Sequence, residues 1–260
     1  MNGVRSPESG PDEVAALLVS QLRRHLGDAI ESVIAHGSWI HGDFAPERSD
    51  LDLLVVLSAD PDQGVVESVS PIVDHATSRY PCWHDRLEIG IVSAQGVADV
   101  LAGAPSVPVV RISPGEPLHL TQGDRHRLFD WEAARRGRAL AGKEPIQVLP
   151  DIPPTVLRGL ASEQLQQWPE WVDGVDAAGP DAYDFQAYAV LTALRAWALS
   201  AHGDQLSKRQ AGLQGTHAFP AWSELTTWAL GRWYVVGARS APPQSTEEFM
   251  LLLAGAGSGP

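Results

Sequence analysis

H-G-S-W-I-H-G-D-F-A-P-E-R-S-D-L-D-L-L-V-V-L, from His36 to Leu57, joins a glycine-rich turn to an apolar strand. Its chemistry lies in the Gly37-Ser38 pair, a second glycine at Gly42, and the run Ser49-Asp50-Leu51-Asp52. Alternate side chains of a strand share a face, so Asp50 and Asp52 point one way while Leu51 and Leu53 point the other. Two carboxylates aimed together repel unless a cation lies between them, which makes the pair a candidate metal site. Hard oxygen ligands suit Mg²⁺, held jointly with substrate phosphates. Ser38 is expected to cap the helical turn that follows, where unpaired N–H groups and the helix dipole favour a phosphate. Gly37 has no side chain to block a close approach. Either half alone also fits a turn and an ordinary strand with solvated aspartates; joined, they favour a site.

The order G-S, three residues, G, then S-D-x-D resembles the signature of the polymerase-β-like nucleotidyltransferase superfamily, and Gly37, Ser38, Gly42, Asp50 and Asp52 fall on it. Upstream, Val14, Leu17, Leu18, Leu22 and Leu26 recur at helical spacing, and Ile30 to Ala35 reads as a strand delivering the turn. Downstream, Asp50 to Leu57 is a strand buried on both faces beyond the aspartates. Asp62 to Arg79 is a helix that Pro71 is placed to interrupt. Trp83 to Val92 is a third strand, with Leu87, Ile89 and Ile91 on one face and Arg86, Glu88 and Gly90 on the other. A lone glutamate in a strand is most often a solvated edge residue. The resemblance raises Glu88 above that, because the superfamily takes a third carboxylate from the strand after S-D-x-D. Glu88 would complete the metal site or act as the base. Asp85 falls on the opposite face of a regular strand.

Between Ser93 and Gly123 the pattern gives a short helix over Ala94 to Ala102, then a strand or loop, then a turn. Asp124 to Leu140 reads as a helix, and Pro145 to Pro154, with four prolines, as a linker. Lys143 belongs to no phosphate loop, since Glu144 follows it and the upstream glycine is misplaced. Ser38 lacks the flanking glycines of a hydrolase elbow. Beyond the linker the segments Thr155 to Trp168, Asp184 to His202, Ser207 to Leu213, Ala221 to Val235 and Ser245 to Leu253 read as helices.

Within that half, Y-A-V-L-T-A-L-R-A-W from Tyr188 to Trp197, followed by L-S-K-R-Q-A from Leu206 to Ala211, resembles the helical domain of the aminoglycoside adenylyltransferases that modify streptomycin and spectinomycin. The resemblance implies that Arg195 and Lys208 contact the nucleotide triphosphate, where an acidic metal site needs fixed cations opposite it. The acidic, aromatic run from Trp168 to Asp184 offers ring faces at Trp168 and Trp171 and charge at Asp173, Asp176, Asp181 and Asp184. Such a run suits ammonium or guanidinium groups, and the resemblance singles out Trp171 and Asp184 as drug contacts. Asp184 fits a helix N-cap equally well.

The composition narrows the partners. With 32 acidic residues against 19 basic ones the net charge of the 260-residue chain is -13, a field that repels nucleic acid and suits a small cationic substrate. The single cysteine, Cys82, excludes an internal disulfide and builds no zinc site alone. With no signal peptide and no membrane-length apolar run, a cytoplasmic monomer without a membrane partner is expected.

The expectation is therefore an α/β nucleotidyltransferase domain over residues 11–149, with a mixed sheet and flanking helices, and an all-α helical domain over 150–253 that closes over the nucleotide. Residues 1–10 and 254–260 are expected to be flexible. Asp50, Asp52 and Glu88 would hold Mg²⁺, Gly37, Ser38, Arg195 and Lys208 would bind ATP, and Trp168, Trp171 and Asp184 would bind the acceptor. AMP would pass to a hydroxyl of an aminoglycoside-type antibiotic. The alternatives are the same chemistry on a protein hydroxyl or metabolite, and a non-catalytic nucleotide-binding protein on this fold.

Overall fold

The structure, a computed structural model, describes residues 10–171, 179–235, 238 and 240–256. It divides into two compact units: one runs to Ile152 apart from Ala45–Glu47, and the other holds those three residues and the chain from Pro153. The expected flexible ends fall outside the described residues except for Gly10 and residues 254–256.

The first unit is built on a six-stranded sheet. Its strands are β1 (Ile30–Ala35), β2 (Leu51–Leu57), β3 (Leu87–Ser93), β4 (Val107–Ile112), β5 (His119–Gly123) and β6 (Arg138–Gly142), in the spatial order β5-β4-β3-β2-β1-β6. Only β2 and β3 run parallel. A parallel pair needs a long crossover, and α3 (Gln63–Arg79) provides it. Pro71 lies inside α3 without breaking it, on the exposed side, where water takes up the carbonyl whose N–H partner is lost. Asp62 caps α3 by accepting from the Val65 N–H.

The alternation read from the sequence sets what each face carries. Val33, Leu51, Leu53, Val55, Leu87, Ile89 and Ile91 share one buried core with Val14, Leu18 and Leu22 of α1 (Pro11–Leu26) and Val69, Ile72 and Val73 of α3. Asp52 is the one position of β2 that is not buried. The connection after β1 is α2 (Gly37–Ile40), and α4 (Ala94–Leu101) follows β3.

The continuous helix expected from Asp124 to Leu140 is instead a 3₁₀ turn at Arg125–Arg127, helix α5 (Leu128–Arg135) and strand β6. Gly137 is the reason: a Cβ there would stand 2.3 Å from the Ala35 carbonyl oxygen, so the chain leaves the helix where only glycine lets it pass along β1. The linker region holds the short helix α6 (Pro145–Val148), opened by a reciprocal Glu144 and Gln147 cap.

The second unit is helical: α7 (Pro154–Trp171), α8 (Pro180–His202), α9 (Lys208–Ala218), α10 (Ser223–Tyr234) and α11 (Thr246–Ala256). The α8 helix packs against the other four, and Val190, Leu191, Leu194, Leu225, Phe249 and Leu253 fill its core. No described helix is long and apolar enough to cross a membrane.

Candidate active site

The turn after β1 is held to β2 by a hydrogen bond from the His36 N–H to the Asp52 carbonyl, 3.1 Å long. Gly37 follows with φ +68°, and a Cβ there would meet Asp52 Oδ2 at 2.0 Å. The backbone of the turn therefore rests directly on the Asp52 carboxylate. Ser38 differs from the sequence expectation: it is the second residue of α2, whose N-cap is His36 with no side-chain cap bond. A four-residue helix sets the cap one residue ahead of Gly37, which leaves Ser38 inside the turn.

Asp52 and Glu88 are register partners in the parallel β2–β3 ladder, so their side chains stand side by side on one face. Asp50 lies just ahead of β2, close enough for its charge to act on Glu88. Burial pushes the Glu88 carboxyl up to about 7; the charges of Asp130 and Asp50 add to this, and Arg111 and Arg127 oppose it. The sequence reading missed three of these neighbours, Arg111, Arg127 and Asp130. Arg111 faces Gly90 across the β3–β4 ladder. Asp130 and Arg127 come from the α5 region and pair at 3.1 Å. Together with His36 they line a cleft of about 470 Å³, open to solvent, that also contains Glu88 and Trp131. A basic residue opposite Gly90 was readable only with the strand pairing in hand.

Among the described residues no three His, Cys, Asp or Glu side chains converge closely enough to hold a metal ion alone. The donors nonetheless fit Mg²⁺. Two carboxylates, Asp52 and Glu88, lie side by side with Asp50 nearby, and Mg²⁺ ordinarily draws further ligands from phosphate and water.

His36 is shifted the other way, to about 4, chiefly by burial, with Asp130 raising it and His41 lowering it. The two shifts give opposite pH slopes. The folded chain keeps the Glu88 proton up to about 7 whereas the unfolded chain releases it near 4.5, so stability falls as pH rises through that window. Unfolded His36 binds its proton near 6.5 and folded His36 only near 4, so stability falls as pH drops through that window. Each slope approaches ~1.4 kcal/mol per pH unit, and between the two they largely cancel. Glu88→Gln removes one of them. Urea denaturation of this variant should show stability falling steadily from pH 6.5 to 4.5 where the parent is nearly flat. A variant as flat as the parent would refute the opposition.

In the helical unit, Arg195 on α8 donates from Nε to the Leu206 carbonyl at 3.0 Å, two residues before Lys208. Arg195 is thus bonded to the turn that leads into Lys208. Ser207 caps α9, and Lys208 Nζ stands 4.5 Å from the Tyr188 ring centroid and 4.4 Å from that of Trp233. The expected acceptor residues do not gather in the same way. Trp168 is 7% exposed, inside the helical core, which gives its ring a packing role. Asp184 lies within α8 rather than at its cap, and is paired with the buried Arg232 at 2.5 Å. Trp171 is the last residue of α7, and its side chain lies outside the described residues, as do Asp173, Asp176 and the side chain of Asp181.

Residues 147–249 match the family model of the aminoglycoside adenylyltransferase C-terminal domain. No curated protein matches the chain in sequence. In fold it is similar to spectinomycin adenyltransferase AAD(9) from Enterococcus faecialis, a crystal structure with ATP and spectinomycin. The TM-score is 0.74 at 17% identity, over 95% of this chain and 99% of that one. At that identity the likeness is one of fold, and it spans the sheet unit as well as the helices.

Proposed function

We propose that this chain, whose residues 147–249 match the aminoglycoside adenylyltransferase C-terminal domain, transfers AMP from ATP to a hydroxyl of an aminoglycoside-type antibiotic with release of pyrophosphate. The observation that carries this reading is the Asp52–Glu88 register with Gly37 seated against Asp52. It gives two carboxylates, a backbone free of side chain at the phosphate-facing turn, and a carboxyl poised to exchange a proton near neutral pH.

In this reading Gly37 and Ser38 cradle the β- and γ-phosphates, while Arg195 and Lys208 supply the fixed cations that neutralise them. Asp50, Asp52 and Glu88 would hold Mg²⁺, which supplies charge neutralisation at the phosphates. Glu88 takes the proton of the acceptor hydroxyl. The oxygen forms its bond to the α-phosphorus as the bond from that phosphorus to the bridging oxygen breaks, and the electron pair leaves with pyrophosphate. Positioning supplies most of the acceleration. The net charge of -13 favours a cationic acceptor.

The test is purified protein with ATP, MgCl₂ and either streptomycin or spectinomycin, followed by mass spectrometry. One antibiotic should gain a single AMP with one pyrophosphate released, EDTA should stop the reaction, and excess Mg²⁺ should restore it. If both antibiotics stay unmodified, the acceptor is another hydroxyl; turnover that persists in EDTA would refute the metal.

A further inference from the structure

Arg86 has no part in the chemistry described above, yet it ties together the two strand ends that carry the carboxylates. Its Nε and Nη2 both donate to the Ser49 carbonyl, at 3.0 and 2.5 Å, one residue before Asp50. Its own carbonyl accepts from the Leu51 N–H at 2.8 Å, one residue after Asp50. The backbone on both sides of Asp50 is thus bonded to a single residue, which stands two positions before Glu88 on the neighbouring strand.

The guanidinium is backed by the Trp83 ring, with Cζ 4.6 Å from the centroid. Trp83 is 2% exposed and stacks on Phe44 of the loop between α2 and β2, the centroids 6.2 Å apart. A planar fork with two N–H groups on one oxygen and an aromatic ring behind it has little freedom left. Residues 41–50 form neither helix nor strand, so Asp50 arrives at β2 on a loop. Both bonding N–H groups of the guanidinium end on a backbone carbonyl rather than on a carboxylate.

We infer that Arg86 is a positioning residue for nucleotidyl transfer: it fixes Asp50 relative to Glu88 so that both carboxylates serve one divalent cation. The inference rests on the nucleotidyltransferase reading. Its physical basis is that an ion of the Mg²⁺ class demands near-ideal ligand geometry, so a carboxylate on a loosened loop binds it poorly. Geometry rather than charge is what Arg86 contributes, and lysine, a point charge without the fork, cannot replace it.

Arg86→Lys and Arg86→Gln test this, each measured well below its own melting temperature. Mn²⁺ binding is read by calorimetry without nucleotide, and kcat, KM for ATP and Mg²⁺ half-saturation are read in turnover. Both variants should lose ~10–100-fold in Mn²⁺ affinity and in kcat, as is usual when a partner behind a metal ligand is removed. KM for ATP should change far less, and lysine should do no better than glutamine. Unchanged Mn²⁺ affinity in two folded variants with only Tm lowered overturns the inference, as does full rescue by lysine or a parent that binds no Mn²⁺. Because Mn²⁺ binding is read without turnover, failure of the antibiotic assay and failure of this inference are separate results.

Discussion

Glu88→Gln should lower kcat by ~10²–10⁴-fold, the usual cost of losing a general base, while ATP binding stays nearly intact. The substitution keeps the volume and one carbonyl oxygen, so the β2–β3 ladder that pairs residue 88 with Asp52 has no reason to shift. What disappears is the group whose proton affinity the fold has tuned. Burial and the nearby charges of Asp130 and Asp50 bring that carboxyl to about 7, the neutral range in which a general base works best. A base is active only when deprotonated, so turnover of the parent should rise with pH and level off at or below about 7, whereas the residual rate of Glu88→Gln should not follow that curve. A cation held by Asp50 and Asp52 would move the rise to lower pH, because a positive charge favours the ionised carboxylate. Single-turnover kinetics with calorimetry of ATP binding separates the roles. A variant with parental turnover would sink the assignment of the base; one that loses nucleotide binding outright would make Glu88 chiefly a metal ligand.

The residues of that site were legible in the sequence where the information is local. Period-two alternation places Asp52 and Glu88 each on the face opposite its strand's core residues, and the apolar runs of β2 and β3 mark the strands themselves. Whatever depends on pairing between distant segments was not legible. β5 and β6 are short, half-exposed strands whose only warrant is a partner already in place, β4 in one case and β1 in the other. Asp130 sits on α5, which stops at Arg135 before Gly137 lets the chain turn back along β1, a stop signalled by one glycine among helix formers. Trp168 looked like a ligand platform because its run is acidic, yet its position on α7 turns the ring inward against α8. Asp184 is held by Arg232, 48 residues later, and nothing in the local pattern announces that pair.

Gly37→Ala is the most demanding test of the turn, because it adds one carbon to the tightest contact in the site. Two effects are expected, and they can be separated. At φ +68° any side chain strains the backbone, by ~1–2 kcal/mol. That alone lowers Tm by roughly 2–8 °C for a domain of this size. The second effect is specific to this place: the new Cβ would stand 2.0 Å from Asp52 Oδ2, far inside contact distance. Asp52 cannot retreat with its backbone, since its carbonyl accepts from the His36 N–H and its strand lies between β1 and β3. Either the carboxylate rotates away or the turn lifts off it, and both change the spacing between the backbone proposed to cradle phosphate and the carboxylate proposed to hold the metal. A misplacement on the order of 1 Å at such a site costs about 10²-fold in rate. Gly115→Ala supplies the control, with φ +79° and nothing within 4 Å of the added carbon. Gly37→Ala should therefore lose at least as much stability as Gly115→Ala, while only Gly37→Ala loses ~10²-fold or more in kcat/KM and needs more Mg²⁺ for half its maximal rate. Equal activity in the two folded variants would mean that the contact between Gly37 and Asp52 shapes the fold and leaves the chemistry untouched.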